Sequence, residues 1–295
     1  SGWEKGLYFT IDGQGMGSTA SVHIGLNGNL KCIERIKLPH SIGFFYAGAT
    51  KALGFKIGKH EGKVTGLAAY GTPNQICINF FSKLISFKNN TLIAPDVIGS
   101  YPMMLKLLKI YGPKDFAASV QHVFEEVIKE FINYWILKTN INKIGLSGGV
   151  FGNVKLNQKI HELNSVSEIF IFPNMSDGGL AYGACLEQFP FELRPIKNIY
   201  LGPEFSIEEM KKALIENNLD YFMPENAPKI IASYLNEGKV VARFGGRMEF
   251  GPRALGNRSI LYRPDRPEVN DWLNKNLKRT EFMPFAPVTI WEHAK

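Results

Sequence analysis

Cysteine is scarce. Cys32, Cys77 and Cys185 are odd in number and far apart, which argues against a disulfide framework and for a reducing compartment. No CxxC pair occurs, which argues against a cysteine-based zinc site as well. The histidines are solitary: His23 lies in an alternating strand, His122 and His161 lie on helical stretches, and no HxxxH or HxxEH spacing is found. The chain therefore does not build a histidine metal site by itself. No apolar run reaches transmembrane length, and the start "SGWEKGLYFT" lacks a secretory pattern, so a cytoplasmic protein without a membrane partner is expected. Repeats and low-complexity tracts are missing too. Dense basic clusters are rare, and the net charge of +7 is modest for 295 residues. That balance fits an enzyme handling phosphorylated anions at least as well as a nucleic-acid binder.

The chain does contain ample apolar sequence: 45% of residues are hydrophobic, enough for one large domain or two ordinary ones. "GLYFTIDGQG" and "STASVHIGLNGNLKCIERIKL" read as strands, with a hairpin turn at Asn27 to Asn29. Ser41 to Tyr70 reads as short helices punctuated by glycine. The clearest helix is Asp115 to Lys138, where Phe116, Val120, Val123, Phe124, Val127, Ile128, Phe131 and Trp135 recur at helical spacing and Asp115 is placed to cap the start. Two strand, glycine-turn, helix passages follow, "NKIGLSGGVFGNVKLNQKIHEL" and "EIFIFPNMSDGGLAYGACLEQF", and this alternation predicts an α/β architecture. The proline-rich seam from Pro190 to Pro203 divides two domains near residue 200. Beyond it, Ser206 and Glu209 form a capping box, and "GKVVARF" predicts a strand.

Chemistry concentrates in a few places. In "LSGGVFGN", Gly148 and Gly149 stand between a strand and a helix, where exposed amides can bind phosphate or serve only close packing. Asp177 in "FPNMSDGGLAYGA" can ligate a divalent cation, with a helix N-cap as the ordinary alternative. Asp12 reads by default as a turn aspartate. His60, Glu61 and Lys63 enter a small-residue helix, and His40 begins a segment dense in glycine and aromatics. The stretch "RFGGRMEFGPRALGNRSIL" differs in kind. Arg247, Arg253 and Arg258 are interleaved with Gly246, Gly251, Pro252 and Gly256 rather than spaced on a helix face. A guanidinium fork fits an oxyanion at two points, and glycine lets backbone approach it. Glu249 and Asn257 are expected to hold two of the forks, and Lys278, Arg279 and Glu281 ahead of "MPFAP" to complete the pocket.

Taken in order, "PHSIGFFYAGATKALGFKIGKHEGKVTGLAAYG", "LSGGVFGNVKLN", "PNMSDGGLAYGA", "GRMEFGPRALGNRSIL" and "RTEFMPFAP" resemble the O-carbamoyltransferases of the nodulation and antibiotic-tailoring type. The similarity touches nearly the whole chain. It implies that residues 1–197 form the second half of an actin-like ATPase-fold domain. Residues 198–295 would form an α+β carbamoyltransferase C-terminal domain resembling threonylcarbamoyl-AMP synthases. The implied reaction joins carbamoyl phosphate to ATP as carbamoyl-adenylate, then carries the carbamoyl group to a hydroxyl of a sugar or natural product.

By the same resemblance, Arg247, Arg253, Arg258, Asn257 and Glu249 would be the catalytic group. Gly148, Gly149, Asn153, Lys63 and Arg279 would bind ATP, and Asp177 would hold a divalent metal, Fe²⁺, Mg²⁺ or Mn²⁺. Two departures stand out: the family's HHxxH-like segment is absent, and "PVTIWEHAK" stops inside the second domain. An internal portion of a longer protein, with an incomplete metal site, is the expectation. A tRNA-modifying or RNA-binding protein on the same fold is the alternative, disfavoured by the scarcity of other basic clusters, and a scaffold that has lost catalysis is a weaker one.

Overall fold

The computed structural model describes residues 1–95, 97, 99–189, 195–278 and 285–293. It divides into two compact units, Ser1–Pro195 and Ile196–Lys295.

The first unit is built on a mixed sheet. β1 (Lys5–Gly15), β2 (Ser18–Leu26) and β3 (Asn29–Lys37) form an antiparallel meander. On its other edge β1 pairs in parallel with β6 (Lys143–Ser147), which pairs in parallel with β7 (Glu168–Ile171), giving the order β3-β2-β1-β6-β7. A short hairpin of β4 (Ser86–Lys88) and β5 (Thr91–Ile93) stands apart from this sheet. Period-two alternation gives β1 two faces. Leu7, Phe9 and Ile11 are buried in the core, while Tyr8, Thr10 and Asp12 point the other way. Turns with both central residues at positive φ, Met16–Gly17 and Asn27–Gly28, close the two hairpins, as the strand twist prefers.

Helices cover the Leu7–Phe9–Ile11 face. α1 (Ile42–Ala52) starts at Ser41, whose hydroxyl accepts from the Phe44 amide at 3.1 Å and donates to the Gly13 carbonyl at 2.6 Å. That one side chain caps the helix and ties it to β1. α2 (Glu61–Ala68) and α3 (Gln75–Leu84) follow. The central helix α4 (Tyr101–Thr139) is broken at Gly112 (φ 78°, ψ 164°), and Pro113 reopens it. All eight apolar residues expected to face inward are buried, with Phe131 edge-on to Phe9 at 5.8 Å between ring centroids. The expected start is corrected: the helix resumes at Pro113, so Asp115 lies inside the first turn and its carboxylate accepts from the Thr72 amide at 2.9 Å. α5 (Val154–His161) follows β6, and α6 (Leu180–Gln188) follows β7.

The second unit holds α7 (Ile207–Glu216), α8 (Ala227–Asn236), the antiparallel pair β8 (Val241–Phe244) and β9 (Arg258–Leu261), and α9 (Pro267–Asn276). The Ser206–Glu209 capping box is formed in both directions. Burial is thin: among the described residues only Glu249, Leu273 and Asn274 of this unit are buried. The architecture as a whole is a mixed α/β fold carrying a sheet with parallel and antiparallel pairs.

Candidate functional site

In the first unit a cleft of about 610 Å³ opens where β1 and β6 end. Strand alternation brings Thr10 and Asp12 to it, β6 brings Ser147 and Gly148, and the segment after β7 brings Phe172 and Asp177. Asp12 is the hinge of its floor. One carboxylate oxygen accepts from the Gly13 amide at 2.7 Å and the other from the Gly149 amide at 2.6 Å. Gly148 donates to the Met175 carbonyl at 2.6 Å. The two glycine amides expected to face a phosphate thus donate inside the protein, and the Asp12 carboxylate occupies the anion position at the turn.

Glycine is required at 148 for two reasons. Its φ is +102°, and a Cβ there would collide with the Ile11 carbonyl oxygen. Gly43 on α1 is required by proximity alone, since a Cβ would come within 2.5 Å of the Gly13 nitrogen. Both keep the Asp12 turn clamped between α1 and β6.

The structure brings Gly148 and Asp177 to the cleft, Asp177 in a short 3-10 turn, Asp177–Gly179, that leads into α6. Asn153 lies elsewhere: it is buried, caps α5 through the Leu156 amide at 3.1 Å, and exchanges hydrogen bonds with Gln121 at 2.9 and 3.1 Å. Lys63 sits with its ammonium 5.4 Å from the centre of the Phe55 ring, and burial lowers its pKa. Neither residue lines the cleft. His40 accepts from the Ala94 amide at 3.1 Å, and His60 and Glu61 accept from the Lys56 and Gly58 amides at 3.1 and 2.6 Å, so these side chains serve local turns. Asp12, Thr10 and Glu187 join the cleft without having been singled out as site residues. The available signal was the position of Thr10 and Asp12 at the end of a strand that alternates.

In the second unit the arginine stretch runs from β8 to β9 as a tight ribbon. Glu249, 6% exposed, organises it by accepting from three amides on one carboxylate oxygen: Leu255 at 2.9 Å, Asn257 at 2.7 Å and Arg258 at 3.1 Å. Burial pushes its carboxyl up, but these amides, with its own, outweigh that and hold it down at about 2. The expectation that Glu249 holds an arginine fork is corrected: it binds backbone, because a buried carboxylate needs several donors and the loop amides supply them.

The forks are fastened by carbonyls instead. Arg258 donates to the carbonyls of Gly245, Gly246 and Asn257, each at 3.1 Å, and lies 3.7 Å over the Phe244 ring. Arg247 donates to Leu201 and Gly202 at 3.2 Å. Arg243 donates to the Gly256 carbonyl and to Asn257 Oδ1. Asn257 therefore holds Arg243 through Oδ1, while its side-chain Nδ2 donates to the Arg247 carbonyl at 2.7 Å. Arg253 is exposed on the ribbon. Arg279 and Glu281 lie outside the described residues. Among the described residues none of Arg243, Arg247 and Arg258 is paired with a carboxylate. Carbonyls fix a guanidinium without cancelling its charge.

The carbamoyltransferase N-terminus family model matches residues 3–186, and the carbamoyltransferase C-terminus model matches residues 232–295. The chain belongs to the carbamoyltransferase family. The arginine ribbon, and every cleft residue but Glu187, fall within the matched regions. An uncharacterized protein of Methanocaldococcus jannaschii is 34% identical over 99% of the chain and 59% of its own length. Nodulation protein NolO of Bradyrhizobium diazoefficiens is 30% identical over 100% of the chain and 56% of its own length. The 3′-hydroxymethylcephem-O-carbamoyltransferase of Streptomyces clavuligerus is 33% identical over 48% of the chain and 27% of its own length. The chain spans about half the length of the curated relatives it matches. No described helix is long and apolar enough to cross a membrane.

Proposed function

We propose that the full-length protein is an ATP-dependent O-carbamoyltransferase. In the arginine-bearing unit carbamoyl phosphate and ATP give carbamoyl-adenylate and pyrophosphate, and in the sheet-bearing unit the carbamoyl group passes to a hydroxyl of a small-molecule acceptor. Family membership supports the transfer. The reading of the first step is carried by one observation: Arg243, Arg247 and Arg258 are locked in place by carbonyls, with no described carboxylate to neutralise them. Such preorganised charge stabilises phosphate oxygens as charge builds on the leaving group, at no cost of reorganisation during the step. Arg253 and Asn257 complete this group, and Glu249 acts by holding the ribbon's backbone in shape.

In the sheet-bearing unit, strand order β3-β2-β1-β6-β7, with antiparallel hairpins first and parallel crossovers after, supports the reading of a half of an actin-like fold. The cleft is the place we assign to the adenylate and the acceptor. Among the described residues no group of three or more histidine, cysteine or acidic side chains is arranged to hold a metal ion. The shared position of Asp12 and Asp177 at the cleft supports a hard divalent cation, magnesium or manganese, of the kind that binds one or two carboxylates and takes its remaining ligands from phosphates and water. When bound, such a cation would offset phosphate charge. The protein's own part is to orient: Asp12 keeps the β1 and β6 turns together, and Gly148 leaves room between them.

The experiment is pyrophosphate release from ATP by the full-length protein, with and without carbamoyl phosphate. Release that requires carbamoyl phosphate, and falls about a hundredfold or more in Arg247→Gln or Arg258→Gln, is expected. Release at the same rate without carbamoyl phosphate would rule the reading out.

A further inference from the structure

On the solvent side of the sheet a line of hydrogen bonds leaves the cleft and crosses from β1 to β2. Thr10, exposed at the cleft, has its hydroxyl 2.6 Å from that of Ser21, and Ser21 has its hydroxyl 2.9 Å from Nε2 of His23. Strand register makes the line: Thr10 is directly opposite Ser21, and Tyr8 is directly opposite His23, so all four side chains share one face. Ser21, the middle member, is 7% exposed, whereas His23 is half-buried and reaches water. The two ends of the line are thus wet and its centre is enclosed.

We propose that Thr10, Ser21 and His23 form a proton relay for carbamoyl transfer, with His23 as the terminal base. This rests on the transfer reaction proposed above. The acceptor oxygen attacks the carbamoyl carbon, a new C–O bond forms, and the bond from that carbon to the phosphate oxygen breaks, its electron pair leaving with the phosphate. The hydroxyl proton passes to Thr10 Oγ1 as the Thr10 proton passes to Ser21 Oγ and the Ser21 proton to Nε2 of His23. The imidazolium then releases its proton to water from the half-buried ring. No oxidant or reductant takes part.

The surroundings suit a proton acceptor. Burial, and then the positive charge of Arg35 on β3, hold His23 below the usual imidazole range, so the ring is neutral at pH 7 with a lone pair to offer. Tyr8 from β1 and Cys32 from β3 are its register partners, and Arg35 is opposite Ser21. A cross-strand polar ladder of purely structural value would have the same distances, so the test must separate the two.

It uses the full-length protein with ATP, carbamoyl phosphate and two probe acceptors, 3′-hydroxymethylcephem and N-acetylglucosamine. Pyrophosphate release and carbamoyl transfer are followed separately. Ser21→Ala and His23→Gln are expected to leave first-turnover pyrophosphate release within about twofold of wild type, to lower kcat for transfer at least about tenfold and to leave the acceptor KM unchanged. His23→Gln should also erase the acidic limb of the transfer pH profile, which a structural role would not touch. Transfer at wild-type kcat with an unaltered pH profile in both variants overturns the relay while leaving the transferase reading intact. Wild-type protein that releases pyrophosphate but carbamoylates neither probe overturns the transferase reading and the relay with it.

Discussion

Glu249 shows how a single buried carboxylate fixes the path of a loop through its backbone. Three loop amides converge on one of its oxygens, so Glu249→Ala should cost the second unit on the order of 3 kcal/mol, measured by denaturant unfolding. Its pH behaviour has a definite sign. The folded carboxyl titrates at about 2, below its ordinary value of 4.5, so its contribution is fully present above 4.5 and is lost as pH falls toward 2. Unfolding midpoints of wild type should drop across that window more steeply than those of Glu249→Gln. At Gly43 and Gly148 the relevant quantity is space. Alanine at either should destabilise the first unit by about 2 kcal/mol or more, whereas Gly62→Ala on α2, where a Cβ meets nothing within 4 Å, should stabilise it by about 0.5–1 kcal/mol. Equal effects at all three positions would contradict the close approach of α1 and β6 to Asp12.

Among elements, the β1–β2 hairpin carries a visible flaw. Met16 takes a left-handed conformation at φ 49° and is fully exposed at the tip, next to the cleft-lining Gly15 and Ser18. Met16→Asn, a residue that tolerates this conformation, should raise the stability of the first unit by about 0.5–1 kcal/mol in a thermal melt. α4 shows the opposite case. Eight of its inward residues were legible from periodicity, yet its beginning was not, because periodicity marks a buried face and says nothing of a break at Gly112 that is mended by Pro113. The capping box at Ser206 and the hairpin at Asn27–Gly28 were legible for the same reason that they form: each depends on residues within a few positions of each other.

Across the whole molecule, burial is unequal. Nearly every buried apolar residue belongs to the first unit, and α7 and α8 have none. In hydrogen exchange on the 295-residue chain, α7 and α8 should therefore lose protection well before β1 and the Phe116–Trp135 part of α4, since opening them exposes little apolar surface. Matching protection in both units would show that this difference in packing has no energetic weight. Family membership is also a property at this scale. One family model matches most of the first unit and the other matches residues 232–295 of the second, so the likeness extends well beyond any single motif.

The sequence by itself determined the alternation of strands and helices, the inward face of α4, the local caps and turns, and the family, because these are carried by periodicity and by contiguous motifs. It also marked the arginine ribbon, through an interleaving of guanidinium and glycine that a solvated helix does not need. Only the tertiary structure decided which atoms each of these groups holds. Glu249 takes amides rather than arginines, Asp12 claims the Gly149 amide, Asn153 turns into a buried cap, and Thr10, Ser21 and His23 align across two strands. The reason is common to all four: a hydrogen bond is settled by ångström-scale distance between groups that register, burial and backbone path bring together, and none of these is local to a motif.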